Sequence, residues 1–196
     1  MAKIIGLTGP IGAGKSTVAR ILSEKGCVII DCDKISREIV EPNSPTLSVL
    51  VKEFGNTILN TDGSLNRAAL AEIALSTEEN QKKLNSITHP AIIKIALSRA
   101  TKALNEGKSA IIEATLLFES GANMLCNASV AVIAPKEERI KRVALRDKLD
   151  EKAINLKINA QKEESYYAER ADFVIKNYPP FDINEELQPL FEYLGI

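Results

Sequence analysis

Residues 9–17 run Gly-Pro-Ile-Gly-Ala-Gly-Lys-Ser-Thr. Gly9, Gly14, Lys15 and Ser16 fill every fixed position of the phosphate-binding loop (P-loop) pattern. Holding a polyphosphate needs backbone N–H groups aimed at one point, a cation within reach, and little side-chain bulk in the way. Gly9, Gly12, Ala13 and Gly14 keep the loop small, and the amides from Gly12 to Ser16 supply the donors. Lys15 reaches the β- and γ-phosphates, the Ser16 hydroxyl is a ligand for Mg²⁺, and Thr17 completes the triphosphate contacts. The apolar run Ile4–Leu7 precedes the loop, and Ser16 to Leu22 follows with helical apolar spacing. That strand–turn–helix order is the context the motif needs, so a ligand-free glycine-rich turn is the weaker reading.

Other residue types fit phosphoryl transfer less uniquely. Asp31-Cys32-Asp33 ends a second apolar run, and in open parallel sheets ligands gather at the carboxyl ends of strands. Asp33 is placed to accept or orient the proton of an attacking hydroxyl. It is equally placed to cap a helix starting near Lys34, and spacing leaves both readings open. Arg142 and Arg146 are four apart and share a helix face, suited to clamping phosphate oxygens or to solvation alone. Arg139 and Lys141 fall on other faces and read as solvated, within a basic run that ends at Lys148. Arg67 is suited to a substrate anion or to a turn. His89, the only histidine, precedes Pro90 and reads as capping or packing. Glu113 and Glu119 are candidates for holding a metal-bound water.

The elements that must position these groups alternate. Apolar runs at Ile4–Leu7, Cys27–Ile30, Ala110–Ile112, Ser129–Ile133 and Phe173–Ile175 predict parallel strands buried on both faces. Helical patterns at Thr17–Leu22, Glu137–Leu145 and Ile183–Leu194 lie between or after them. The fold class is therefore α/β, a three-layer P-loop fold with helices flanking a parallel sheet. Between residues 30 and 110 no strand is expected. Helices are predicted at Ser36–Val40, Thr46–Phe54, Arg67–Leu75 and Glu78–Glu106, with breaks at residues 41–45, Asp62-Gly63 and His89-Pro90. A second insertion has Asp150 as N-cap and Ala153, Ile154, Leu156 and Ile158 as its apolar side. The whole chain, 1–196, reads as one domain. Its core covers about 1–40, 105–140 and 170–196, with a helical insertion at about 41–104, a natural lid over a second substrate, and a second, smaller insertion at about 141–169.

Composition narrows the classes. The chain has 196 residues, 26% charged and 45% hydrophobic, with a formal net charge of −1. No basic field favours nucleic acid, and no apolar stretch is long enough for a bilayer. The P-loop strand begins at residue 3, leaving no room for a signal peptide. Three cysteines in no metal spacing read as reduced, mostly buried thiols of a cytoplasmic protein.

The ordered set of motifs resembles the dephospho-coenzyme A kinase family across nearly the whole chain. The matching pieces are Gly6-Leu7-Thr8-Gly9 with the P-loop, Ile29-Ile30-Asp31-Cys32-Asp33, Phe54-Gly55, Asp62 to Arg67, His89-Pro90 and Leu116-Leu117-Phe118-Glu119. Arg142 with Arg146, Gln161, and Ala171 to Asn177 complete the set. The resemblance implies transfer of the ATP γ-phosphoryl to the ribose 3′-hydroxyl of dephospho-coenzyme A, with Mg²⁺. It implies that Asp33 is the base, that Lys15 and Arg142 act on the transferring phosphate, and that Arg146 lies over the triphosphate. Asn177 falls in the adenine-side loop, and Thr8, Arg67 and His89 join Asp33 on the acceptor side. A monomer is expected. Thr115 stands where the family has Pro, and Lys157 where it often has Arg. Pro10 is an unusual second loop residue. A GTP-binding switch would need Asn-Lys-x-Asp and Asp-x-x-Gly motifs, and neither occurs. A subunit coupling ATP hydrolysis to movement has little room in this length. The alternative within the same class is another P-loop kinase acting on a nucleoside or sugar hydroxyl.

Overall fold

The computed structural model describes residues 1–147 and 150–196. Lys148 of the basic run lies outside the described residues. Five short apolar runs make one sheet: β1 (Ile4–Thr8), β2 (Val28–Asp31), β3 (Ala110–Glu113), β4 (Ala128–Ile133) and β5 (Phe173–Lys176). Their order is β2-β3-β1-β4-β5, so the strand that feeds the P-loop lies at the centre. β1 runs parallel to β3 and β4, and β4 runs parallel to β5. The register sets Ile4 against Ala110 and Ile5 against Ala128.

Among the described residues the α-helices are α1 (Lys15–Glu24), α2 (Cys32–Glu38), α3 (Pro45–Phe54), α4 (Arg67–Ala74), α5 (Glu78–Asn105), α6 (Lys136–Asp147), α7 (Glu151–Asn159), α8 (Glu164–Ala168) and α9 (Ile183–Leu194). The helix expected over Glu78–Glu106 is present as α5, and the turn or kink chemistry read at His89-Pro90 does not end it. Pro costs a helix one backbone hydrogen bond. The turns on either side of Pro90 hold through that loss.

Two compact units result: Met1–Ile30 with Ala100–Ile196, and Asp31–Arg99. The first contains the sheet. Alternation along β4 sends Val130 and Val132 into one buried cluster with Leu22 of α1 and Leu187, Leu190 and Leu194 of α9. Ala131 and Ile133 enter another, with Tyr167 of α8 and Val174. A sheet covered on both faces explains why these strands read as continuous apolar runs. Burying each such leucine contributes about 1.5–3 kcal/mol. The second unit is helical, with one isolated bridge between Leu59 and Leu65. Arg99 pairs with Glu38, and Lys83 joins Glu53 at 3.2 Å and Glu79 at 3.3 Å. None of the three cysteines forms a disulfide, and only Cys27 is buried, fewer than expected. Burial nonetheless pushes the Cys126 thiol up to about 11.

Asp172 fastens β5 to β4 by accepting from the Ser129 amide at 2.8 Å and the Ser129 hydroxyl at 2.7 Å. These bonds favour the carboxylate and hold its pKa below the ordinary 3.8. A depressed folded-state pKa contributes stability that is present above the unfolded value and lost as pH falls through the folded one. The melting-temperature gap between the wild type and Asp172→Asn should therefore shrink as pH falls from about 5 through the depressed folded-state value. A gap independent of pH over that range would refute the assignment.

Candidate phosphate-binding site

The loop between β1 and α1 is built for close approach. Gly14 precedes α1 with φ 100° and ψ 28°, a left-handed conformation that glycine adopts without strain. A Cβ there would collide with the Asn177 amide group, and one at Gly12 would lie 2.7 Å from the Arg139 carbonyl oxygen. The first turn of α1 has no side-chain cap and no acidic residue. By contrast α2, α3, α4, α7 and α9 are capped by Asp31, Ser44, Asn66, Asp150 and Asp182. No side chain covers the α1 terminus, which thus turns its positive dipole end toward an anion. Ser16 is exposed on that first turn, while Ala13 is buried beneath the loop. Thr17 is half-buried, and its backbone N–H donates to the Gly14 carbonyl at 3.0 Å. The Lys15 ammonium lies along the loop, donating to the Gly9 carbonyl at 2.8 Å and the Pro10 carbonyl at 3.4 Å.

Residues from the C-terminal half converge on this loop. Arg142 donates to the carbonyls of Gly12 at 3.4 Å, Ala13 at 3.3 Å and Asn177 at 2.7 Å. The Asn177 side-chain amide donates to the Ala13 carbonyl at 2.8 Å. Asn177 itself is aligned with the sheet, since its backbone N–H donates to Ile133 at the end of β4. Arg142 and Asn177 therefore meet at the start of α1, and both interlock with the loop backbone. Arg146 is exposed and forms a forked pair with Asp147, at 2.7 Å and 3.1 Å. Asp147 also lies 3.6 Å from Lys157 of α7. The Arg146 hydrogen bonds hold the Asp147 carboxyl below its ordinary range. Two cations thus share one carboxylate, leaving a net positive group suited to phosphate oxygens.

Arg139 is not the solvated residue its helical position suggested. It is 5% exposed. Its Nε donates to the Ala134 carbonyl at 3.1 Å, and its buried Nη1 has no hydrogen-bond partner. Burial lowers the guanidinium pKa, partly offset by nearby Glu164 and Tyr167. The first turn of α6 presses against Gly12, a tertiary contact that residue spacing does not reveal. Lys141 is exposed and paired with Glu138, as a solvated residue should be. On α7, Asp150 caps the helix by accepting from the Ala153 amide at 2.7 Å. Ile154 and Ile158 are buried as expected, but Leu156 is 65% exposed.

Thr8 ends β1 fully buried, its hydroxyl donating to the Thr115 carbonyl at 3.3 Å. Glu113 ends β3 half-buried, and Glu119 is exposed. In the second unit the helix-cap role belongs to Asp31. Its side chain accepts from the backbone N–H groups of Asp33 at 2.9 Å and Lys34 at 3.0 Å. Asp33 is exposed in the first turn of α2, its carboxylate not needed as the cap. Asn66 likewise caps α4, leaving Arg67 exposed as the first helical residue. His89 is half-buried within α5.

Among the described residues no cluster of three or more His, Cys, Asp or Glu side chains could hold a metal ion. Mg²⁺ beside nucleotides is ordinarily held by phosphate oxygens, water and few protein ligands, and the exposed Ser16 hydroxyl is a protein oxygen of that kind on the first turn of α1. Gln161, part of the resemblance but without a role in it, accepts from the Ile11 amide at 2.6 Å.

The model of the family described as dephospho-CoA kinase matches residues 3–180. A dephospho-CoA kinase from Corynebacterium efficiens is 42% identical over 179 residues, covering 91% of this chain and 90% of its own. A crystal structure of a Thermus thermophilus protein aligns with TM-score 0.82 and 30% identity, covering 99% of this chain and 96% of that one. The dephospho-CoA kinase structure from Campylobacter jejuni aligns with TM-score 0.70 and 30% identity, covering 98% and 97%.

Proposed function

Since the chain belongs to the dephospho-CoA kinase family, we propose that its P-loop site delivers the γ-phosphoryl of ATP to the ribose 3′-hydroxyl of dephospho-coenzyme A. The products are coenzyme A and ADP, and the reaction is the last step of coenzyme A synthesis. The observation that carries this reading is the uncapped start of α1, framed by Gly12, Gly14 and Lys15 and interlocked with Arg142 and Asn177.

Phosphoryl transfer passes through a loose transition state, so positioning and charge neutralisation matter most. In this reading the loop amides cradle the β- and γ-phosphates. Lys15 leaves the Gly9 carbonyl for the phosphate oxygens, and Arg142 and Arg146 neutralise charge as it develops. Ser16 would hold Mg²⁺, which would supply further charge neutralisation when bound. Asn177 borders the adenine. Asp33, free of the capping duty that Asp31 performs, orients the 3′-hydroxyl and takes its proton. Thr8, Arg67 and His89 contribute to acceptor binding, and the helical segment at about 41–104 carries acceptor specificity. Residues at about 141–169 act as a lid that keeps water from the γ-phosphate. The described helices include none long and apolar enough to cross a membrane; a cytoplasmic location and a monomer are part of the proposed reading.

Mass spectrometry of products from ATP, Mg²⁺ and dephospho-coenzyme A tests the reaction directly. One phosphoryl group gained at the ribose 3′ position is the expected result. Phosphorylation of other nucleoside or sugar hydroxyls in preference to this one would favour a different acceptor. Hydrogen exchange adds a second expectation: dephospho-coenzyme A should slow exchange within Glu41–Leu104, including around Arg67 and His89. Protection limited to the P-loop and α6 would place the acceptor elsewhere.

A further inference from the structure

Ile11 stands at the tip of the P-loop, and two independent features fasten it to segments far later in the chain, the bend just after α7 and the α6–α7 apolar cluster. Its backbone N–H donates to Gln161 Oε1 at 2.6 Å, joining residues 150 apart in sequence. Its side chain packs on the apolar cluster of Val143, Ile154 and Ile158, which holds α6 against α7. The neighbouring loop residues are engaged by α6. Gly12 lies against the Arg139 backbone, and the Gly12 and Ala13 carbonyls accept from Arg142.

We propose that Gln161 is a positioning residue that clasps the P-loop tip to α6 and α7, so that the loop and the arginine-bearing helix pair respond to a bound triphosphate together. The inference rests on the reading of this loop as the triphosphate site. Gln161 suits the task chemically. Its amide oxygen accepts the one proton that the Ile11 amide offers, and its neutral head adds no negative charge beside a polyanion. The Ile11 amide is thereby committed to the protein, and the loop is held in shape before ligand arrives. Without that acceptor the tip N–H turns to water, and the loop must be ordered at the expense of binding.

Gln161→Met keeps length and volume but lacks a comparable acceptor, whereas Gln161→Glu keeps an acceptor oxygen. For Gln161→Met the KM for ATP should rise about three- to tenfold, the scale of one lost hydrogen bond, with the KM for dephospho-coenzyme A unchanged. Hydrogen exchange with a saturating non-hydrolysable ATP analogue supplies the second readout. In the wild type and Gln161→Glu, the analogue should protect both Gly12–Ser16 and the α7 stretch Lys152–Asn159. In Gln161→Met it should protect the loop alone. An unchanged KM for ATP, or α7 protection that survives in Gln161→Met, overturns the clasp while leaving the nucleotide reading intact. Failure of the analogue to protect the loop in the wild type overturns that reading, and the clasp with it. Should Gln161→Met not fold, the apo wild type decides. Its Ile11 amide must exchange slowly, and exchange as fast as an open loop amide overturns the proposal.

Discussion

Lys15→Ala should reduce turnover by about a hundred- to thousandfold, the usual scale for removing one preorganised electrostatic group from a transition state. The reasoning starts from the position of the ammonium. It lies along the loop on the carbonyls of Gly9 and Pro10, within the span whose amides surround the phosphates. The charge it offsets grows as the γ-phosphoryl separates from ADP, so the loss should fall on kcat more than on binding. The fold should survive, because the hydrogen bonds the variant gives up to the Gly9 and Pro10 carbonyls are each worth about 1 kcal/mol net. Steady-state kinetics at saturating ATP and dephospho-coenzyme A, beside a thermal melt, checks both halves. A folded Lys15→Ala protein with near-normal turnover would remove the P-loop from the mechanism.

Asp33→Asn separates two roles that the sequence leaves open. Asp31 supplies the cap of α2 through its bonds to the Asp33 and Lys34 amides, and those bonds use only the backbone of residue 33. Replacing the Asp33 carboxylate with an amide should leave α2 in place and the melting temperature close to that of the wild type. If the carboxylate orients and deprotonates the 3′-hydroxyl, turnover should fall by about a hundredfold or more. ATP affinity should change little, since Lys15 and the loop amides bind the triphosphate. Near-normal phosphorylation of dephospho-coenzyme A by Asp33→Asn would sink the base assignment.

The parts legible from sequence are those governed by local chemistry. The strands around Ile5, Ile111, Val130 and Ile175 read as apolar runs because both faces of the sheet are covered. Asp150 reads as a cap because its acceptor lies within one turn of the amide it serves. Asp31 and Asp33 defeated this logic, since both lie within reach of the same helix start and only backbone direction decides between them. Arg139 failed for a different reason. Its helical position marks it as solvated, yet its burial comes from packing at the loop side of α6, more than a hundred residues from Gly12. Gln161 gave no signal for its hydrogen bond at all, because its partner is a backbone amide whose identity is invisible in side-chain patterns. Pro90 was legible as a helix breaker, but a 28-residue helix with many other hydrogen bonds tolerates one missing donor.

The central place of β1 carries a consequence for how the chain is made. Strand β1 is synthesised first, but its neighbours are Ala110–Glu113 and Ala128–Ala131. At ribosomal rates, the interval between the first strand and the last of these partners is on the order of ten seconds. Throughout that time the apolar run Ile4-Ile5-Gly6-Leu7 leaves the exit tunnel with its native pairing sites still untranslated, a segment open to wrong partners. Asp31–Arg99 is a continuous stretch and depends on no later residue for its own internal contacts, so it can form during the wait. The P-loop is therefore translated well before the strands that flank β1 and takes shape only once they have emerged, so Ile4–Leu7 is exposed to mispairing throughout that interval.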